Sequence, residues 1–132
     1  MRALFLAGAI PLAGCAISVA EVPAADPQLT HAVFFELNDD SDAAIEALVE
    51  ACYEFLAPHD GIVHFSAGAR HTDYQREVND LDFDVALTIV FENTAAQDAY
   101  QVTEPHLQFI DEFNQNWASV RVFDSVAPVT AE

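Results

Sequence analysis

The chain contains no lysine. Its cations are four arginines, set against 22 aspartates and glutamates in 132 residues, for a formal net charge of -18. A surface this negative repels phosphate backbones and anionic headgroups, which excludes nucleic-acid binding and leaves a lipid anchor as the only route to a membrane. The absence of lysine beside so many acids also fits a saline habitat, where counterions screen the repulsion. Cysteine is scarce as well: Cys15 and Cys52 are the only two, and they form no CxxC motif. With four glycines the sequence has no phosphate-cradling loop, and it has neither a serine elbow nor a histidine pair at i and i+4 on one helix. No spacing of histidine, cysteine and carboxylate marks a metal site, so neither metal nor cofactor is expected. The acids fall at helix starts and on outward faces, as solvated charge rather than a catalytic carboxylate pair.

What remains is 52% hydrophobic, enough for one domain with a real core. The first part of it is a targeting segment. Met1 and Arg2 precede an apolar run from Ala3 to Leu12, too short to span a bilayer as a permanent helix. The run ends in Leu12-Ala13-Gly14-Cys15, which resembles the bacterial lipobox. That resemblance implies a signal peptide over 1–14, lipidation of Cys15 and export to the cell envelope; ordinary cleavage after Ser18-Val19-Ala20 would instead release a soluble exported protein. Residues 15–30, with Pro23 and Pro27, read as a flexible tether. Cys52 falls on the apolar face of a predicted helix and reads as an inert core thiol.

From His31 the pattern becomes regular. His31, Val33, Phe35 and Leu37 alternate with Ala32, Phe34 and Glu36, a strand with apolar bulk on both faces. Ser41 caps a helix carrying Ile45, Leu48, Val49, Cys52, Phe55 and Leu56 at helical spacing, ending before Pro58. A weaker strand over 62–70 follows, then a polar loop over 71–82, then a clear strand over 83–92. Thr94 with Gln97 reads as a capping box. Pro105 opens a last helix whose stripe is His106, Ile110, Phe113 and Trp117, and Val120 to Asp124 closes the domain as a strand. The order is that of a ferredoxin-like βαββαβ sandwich of the α+β class over 31–126, with a tail over 127–132. Its open sheet face would carry Ala32, Phe34, Val63, Phe65, Ala86, Val90 and Phe123, and pairing two such faces in a homodimer would hide them from water.

The run His31-Ala-Val-Phe-Phe-Glu-Leu37 and the later Tyr100-x5-His106-x2-Phe109 together resemble the stress-responsive dimeric α/β-barrel (Dabb) family. The likeness covers nearly all of the folded part. It departs from the family's frequent His-Pro-x-His motif, since Thr103-Glu104-Pro105-His106 keeps only the second histidine. The resemblance implies a dimer whose two sheets close into a barrel. In the family's plant polyketide-cyclase branch, that of olivetolic acid cyclase, aldol condensation depends on a histidine and a tyrosine near the last helix, beside a first-strand histidine and a first-helix tyrosine. By likeness these are His106 and Tyr100 as the catalytic pair, with His31 and Tyr53 contacting substrate.

Two classes of function follow. As a binding module, the domain would hold a hydrophobic small molecule or serve a stress response. As an enzyme, it would carry out cofactor-free, cyclase- or lyase-type proton transfer on a carbonyl compound, with His106 as base and Tyr100 as acid. The haem-binding and monooxygenase members of this architecture supply a third expectation. Against these stand packing roles for each of the four residues, since fold likeness is weak ground for chemistry. His59, His64 and His71 read as surface residues.

Overall fold

The computed structural model describes residues 26–128, so the signal segment, Cys15 and most of the tether lie outside the described residues. The chain runs β1 (Leu29–Leu37), α1 (Asp42–Ala51), a π turn (Cys52–Leu56), β2 (Ile62–Ala69), β3 (Val85–Phe91), α2 (Thr94–Gln101), α3 (Glu104–Phe113), a 3-10 turn (Asn114–Asn116) and β4 (Trp117–Val126). The strands form one antiparallel sheet in the order β2-β3-β1-β4, which is the ferredoxin-like α+β fold. β1 begins at Leu29 rather than His31, because Leu29 pairs with Phe91 on one side and Val126 on the other.

Period-2 alternation decides the core. Val85, Leu87, Ile89 and Phe91 on β3 face the helices and are at most 2% exposed. Burying each such side chain is worth roughly 1.5–3 kcal/mol. Leu48, Cys52 and Leu56 meet them from α1 and its π turn, and Phe109 from α3. Ser41 caps α1 as its position predicts, accepting the Ala44 N–H. Gly61, at φ +82°, makes the turn into β2 where a Cβ would lie 2.6 Å from the Ala96 Cβ, so only glycine fits there.

Four local expectations are corrected. Asn93, not Thr94, caps α2, accepting the Ala96 N–H at 2.8 Å; the Gln97 side chain is turned into the protein instead of back to the cap. The last helix stops at the 3-10 turn, so Trp117 opens β4 and packs on Phe35 and Phe109 from the sheet. A register shift between Ile62 and His64 brings Phe65 to the helix side, against Tyr53, and off the open face. Phe83 lies just outside β3 and crosses to the open face, where its ring meets Phe34 at 5.1 Å. The loop between β2 and β3 is pinned there by Arg121, which donates to the Asp80 carboxylate and the Asp82 carbonyl.

Candidate active site

The helices do not cover the whole sheet. Val120 and Val122 point to the helix side of β4 yet are 39% and 49% exposed, so the helices leave the inner face of this edge strand partly uncovered. The gap is a cavity of about 300 Å³ lined largely by apolar side chains, among them Val33, Phe35, Phe109 and Ile110. Three of the four predicted site residues, His31, Tyr100 and His106, line it together.

His31 enters from the inner face of β1 and is buried. Sheet register sets Asp124 of β4 directly opposite it, and His31 Nδ1 lies 2.6 Å from the Asp124 carboxylate. A carboxylate accepts only, so the proton in that bond belongs on Nδ1, which fixes Nε2 as the nitrogen that faces away from Asp124. The Gln97 amide, 3.1 Å from Nδ1 and 3.4 Å from Asp124, then donates to the carboxylate. His31 is thus a histidine fixed in tautomer and orientation by an acid, the arrangement that prepares imidazoles for proton transfer.

Tyr100 sits in the last turn of α2 and is 2% exposed. Its ring is held between His106 and His59, with centroids 4.6 and 4.9 Å away, and meets Phe91 at 5.1 Å. Burial raises the Tyr100 pKa, and the nearby Cys52 adds to the rise. The phenol therefore stays protonated, so it can donate a hydrogen bond or a proton but does not act as a phenolate base.

His106 lies in the first turn of α3 and is half-buried. Burial lowers its pKa, with His31 and His59 acting the same way and the Gln101 carbonyl in opposition. The imidazole is therefore neutral at physiological pH and keeps a lone pair that can accept a proton. Its Nδ1 is buried without a hydrogen-bond partner among the described residues, as is Trp117 Nε1. Two uncompensated polar atoms on residues lining one cavity are unusual, since each costs about 1–3 kcal/mol unless something supplies a partner.

Tyr53 is not brought into the cavity. It is 48% exposed, its hydroxyl lies 3.2 Å from both the N and the O of Ala67, and its ring packs on Phe65. Cys52 and Leu56 take the inward positions of the π turn, and Tyr53 falls to the flank beside β2. His59, read as a surface residue, is also corrected: it is half-buried and bonded at both ring nitrogens. Asp124 and Gln97 were missed. Asp124 had a readable signal, as a lone acid in the alternation Val120, Val122, Asp124, Val126. Gln97 had none, because its role depends on how α2 meets β1. Among the described residues no group of three or more histidine, cysteine or carboxylate side chains is arranged to hold a metal ion.

The family model for the stress-responsive A/B barrel domain matches residues 29–127. The chain belongs to this family. As an A/B barrel domain it also resembles several solved structures. A dimeric ferredoxin-like protein from Thermobifida fusca has 16% identity and a TM-score of 0.64, over 77% of this chain and 92% of that one. The hydroxynitrile lyase of Passiflora edulis has 18% identity and a TM-score of 0.63, over 80% and 97%. A cofactor-independent oxygenase from Streptomyces nogalater has 16% identity and a TM-score of 0.60, over 78% and 95%. At these identities the likeness is one of fold. No curated protein matches the chain at a significant level.

Proposed function

We propose that this A/B barrel domain binds an apolar carbonyl compound and catalyses a cofactor-free proton transfer on it. The observation that carries the reading is the convergence of the His31–Asp124 pair, Tyr100 and His106 on one cavity with apolar walls. About 300 Å³ is at the small end of ligand sites. Neutral His106 would take a proton from the carbon beside the carbonyl, and the Tyr100 phenol would donate to the oxygen as enolate charge develops. His106 then returns a proton, exchanged with solvent, to that carbon, or the enolate carbon adds to a second carbonyl of the compound, whose oxygen takes the proton from His106. His31, held by Asp124, would orient the compound. A positioned general base of this kind contributes on the order of 10²- to 10⁴-fold. The hydroxynitrile lyase and the cofactor-independent oxygenase among the similar structures support the idea that this architecture hosts chemistry of its own side chains.

The test uses benzoylacetone as an apolar β-dicarbonyl probe, with deuterium incorporation in D2O followed by proton NMR. The protein should accelerate exchange above the buffer rate. His106→Gln should abolish the acceleration while the circular dichroism spectrum of the folded protein is kept, and Tyr100→Phe should reduce it roughly tenfold or more. An unaccelerated rate together with unperturbed His31 and His106 signals would overturn the reading.

Two further parts of the reading concern its setting. The domain would act as a homodimer, an assembly supported by the apolar open face and by the dimeric state described for the Thermobifida fusca protein. It would be exported and held at the envelope through Cys15, a reading supported by the lipobox-like Leu12-Ala13-Gly14-Cys15.

A further inference from the structure

Thr103 occupies the N-cap of α3 with extended backbone, φ -72° and ψ 149°, yet its side chain makes no capping bond. At an N-cap a threonine hydroxyl normally accepts the N–H of the second or third helical residue. Here the second is Pro105, which has no N–H, and the third is His106 itself. The hydroxyl that should secure the His106 backbone is used elsewhere. It lies 2.8 Å from the Tyr100 carbonyl oxygen and 2.7 Å from His59 Nε2, and its single proton serves one of these two acceptors at a time. The opposite nitrogen of His59, Nδ1, lies 2.9 Å from the Leu56 carbonyl and must donate to it.

These contacts join three separate parts of the chain. Leu56 ends the π turn, Tyr100 lies in the last turn of α2 and Thr103 opens α3, so His59 bolts the end of the first helix to the elbow between the other two. The bolt is placed beside the chemistry. The His59 ring meets the Tyr100 ring edge-on at 4.9 Å, on a ring that also packs against His106 at 4.6 Å and Phe91 at 5.1 Å. A second opening of about 360 Å³, lined by Pro58, His59, Asp60, Thr103 and Pro105, lies behind Tyr100, which also walls the main cavity. His59 and Thr103 thus form the wall of that opening on which the Tyr100 ring rests. A local rule broken at a helix start next to a candidate site is where functional constraint is expected.

We propose that His59 and Thr103 are positioning residues that hold Tyr100 and His106 in their working arrangement. The inference rests on the reading of the cavity as the reactive centre, but its test needs no substrate. Imidazole NMR signals of the full-length protein would be titrated in the parent, Thr103→Val, Thr103→Ser and His59→Phe. His106 titrates below an ordinary histidine because it is packed away from water. If the bolt holds it there, Thr103→Val should move the His106 midpoint upward by about half a unit or more, while Thr103→Ser, which keeps the hydroxyl, should restore it. His59→Phe should move it the same way; because His59 also lowers the His106 pKa directly, Thr103→Val is the decisive variant. A fall in Tm for Thr103→Val with the His106 midpoint unmoved would overturn the proposal and leave a purely structural staple. A moved midpoint in a protein that exchanges no benzoylacetone proton would keep the positioning and discard the proposed activity.

Discussion

Asp124 stands directly opposite His31 across the β1–β4 ladder, and its carboxylate lies 2.6 Å from the imidazole Nδ1. The two residues are 93 positions apart in sequence, and only antiparallel register makes them partners. Because Asp124 is about half exposed while His31 is buried, the pair is screened on one side and its worth is orientation more than stability.

Asp124→Asn should therefore leave the fold nearly intact. The amide can still accept from His31, but it can equally present N–H to the ring and release the tautomer. Stability should fall by about 0.5–1 kcal/mol, read from urea denaturation, while catalysed benzoylacetone exchange should fall by up to about a hundredfold. Equal losses in both, or no loss of exchange, would remove Asp124 from the site.

The lowered pKa of His106 makes a signed prediction about pH. The folded protein holds this proton less tightly than the unfolded chain, so between the unfolded value near 6.5 and the lower folded value the unfolded state carries more protons. Stability from His106 is thus fully present above the unfolded pKa. It is lost as pH falls through that window and levels off below the folded value. In Tm scans from pH 4.5 to 7.5, the difference between the parent and His106→Gln should slope upward with pH across that window. A flat difference would mean that His106 is not withdrawn from water.

How much of this was legible beforehand follows from which interactions are local. Strand alternation in His31–Leu37 and Val85–Phe91, and helical spacing through Leu48, Cys52 and Leu56, are driven by burial with a fixed period, so the fold order could be read directly. Where a single residue broke the period, the reading went astray. The register shift at Val63 moved Phe65 to the other face, and the cap is Asn93 because the extended backbone falls there and its side chain accepts the Ala96 N–H. His31, Tyr100 and His106 line one cavity because they sit on inward faces of neighbouring elements. Tyr53 did not, since a π turn changes the angle between successive side chains and no periodicity announces it. The partners of His31 and the bolt through His59 depend on register and on how helices lean, which no local pattern encodes.

The two cysteines should behave differently. Burial pushes the Cys52 thiol up to about 12, and it is fully inaccessible. In the folded protein it should resist a disulfide reagent and react only at the rate of unfolding. Cys15 carries the export reading: in a bacterial host, Cys15→Ser should release the protein from the membrane fraction, and the parent should gain lipid mass at that residue. A parent found wholly in the soluble fraction, with a free thiol at Cys15, would end the anchor proposal.

The open sheet face supplies the last prediction. Phe34 lies between Phe83 at 5.1 Å and Phe123 at 5.8 Å, and Phe123 is 57% exposed, so an aromatic cluster faces away from the protein's own core. Leaving such a cluster in water costs roughly 25 cal/mol for every Å² of apolar area. A chain with net charge -18 also repels its own copies, which makes association on this face a contest between apolar burial and charge. The charge is long-range and screened by salt, whereas the aromatic contact is not. If a second copy covers the face, dimer affinity should rise steeply between 0.05 and 0.5 M salt, about as a Debye length contracting from above 10 Å to below 5 Å requires. Phe123→Glu should give monomer at every salt concentration, with a circular dichroism spectrum like the parent's, because Phe123 packs outside the core. Sedimentation equilibrium decides it. A parent that remains monomeric at micromolar concentration in 0.5 M salt would rule out this face as a self-association surface.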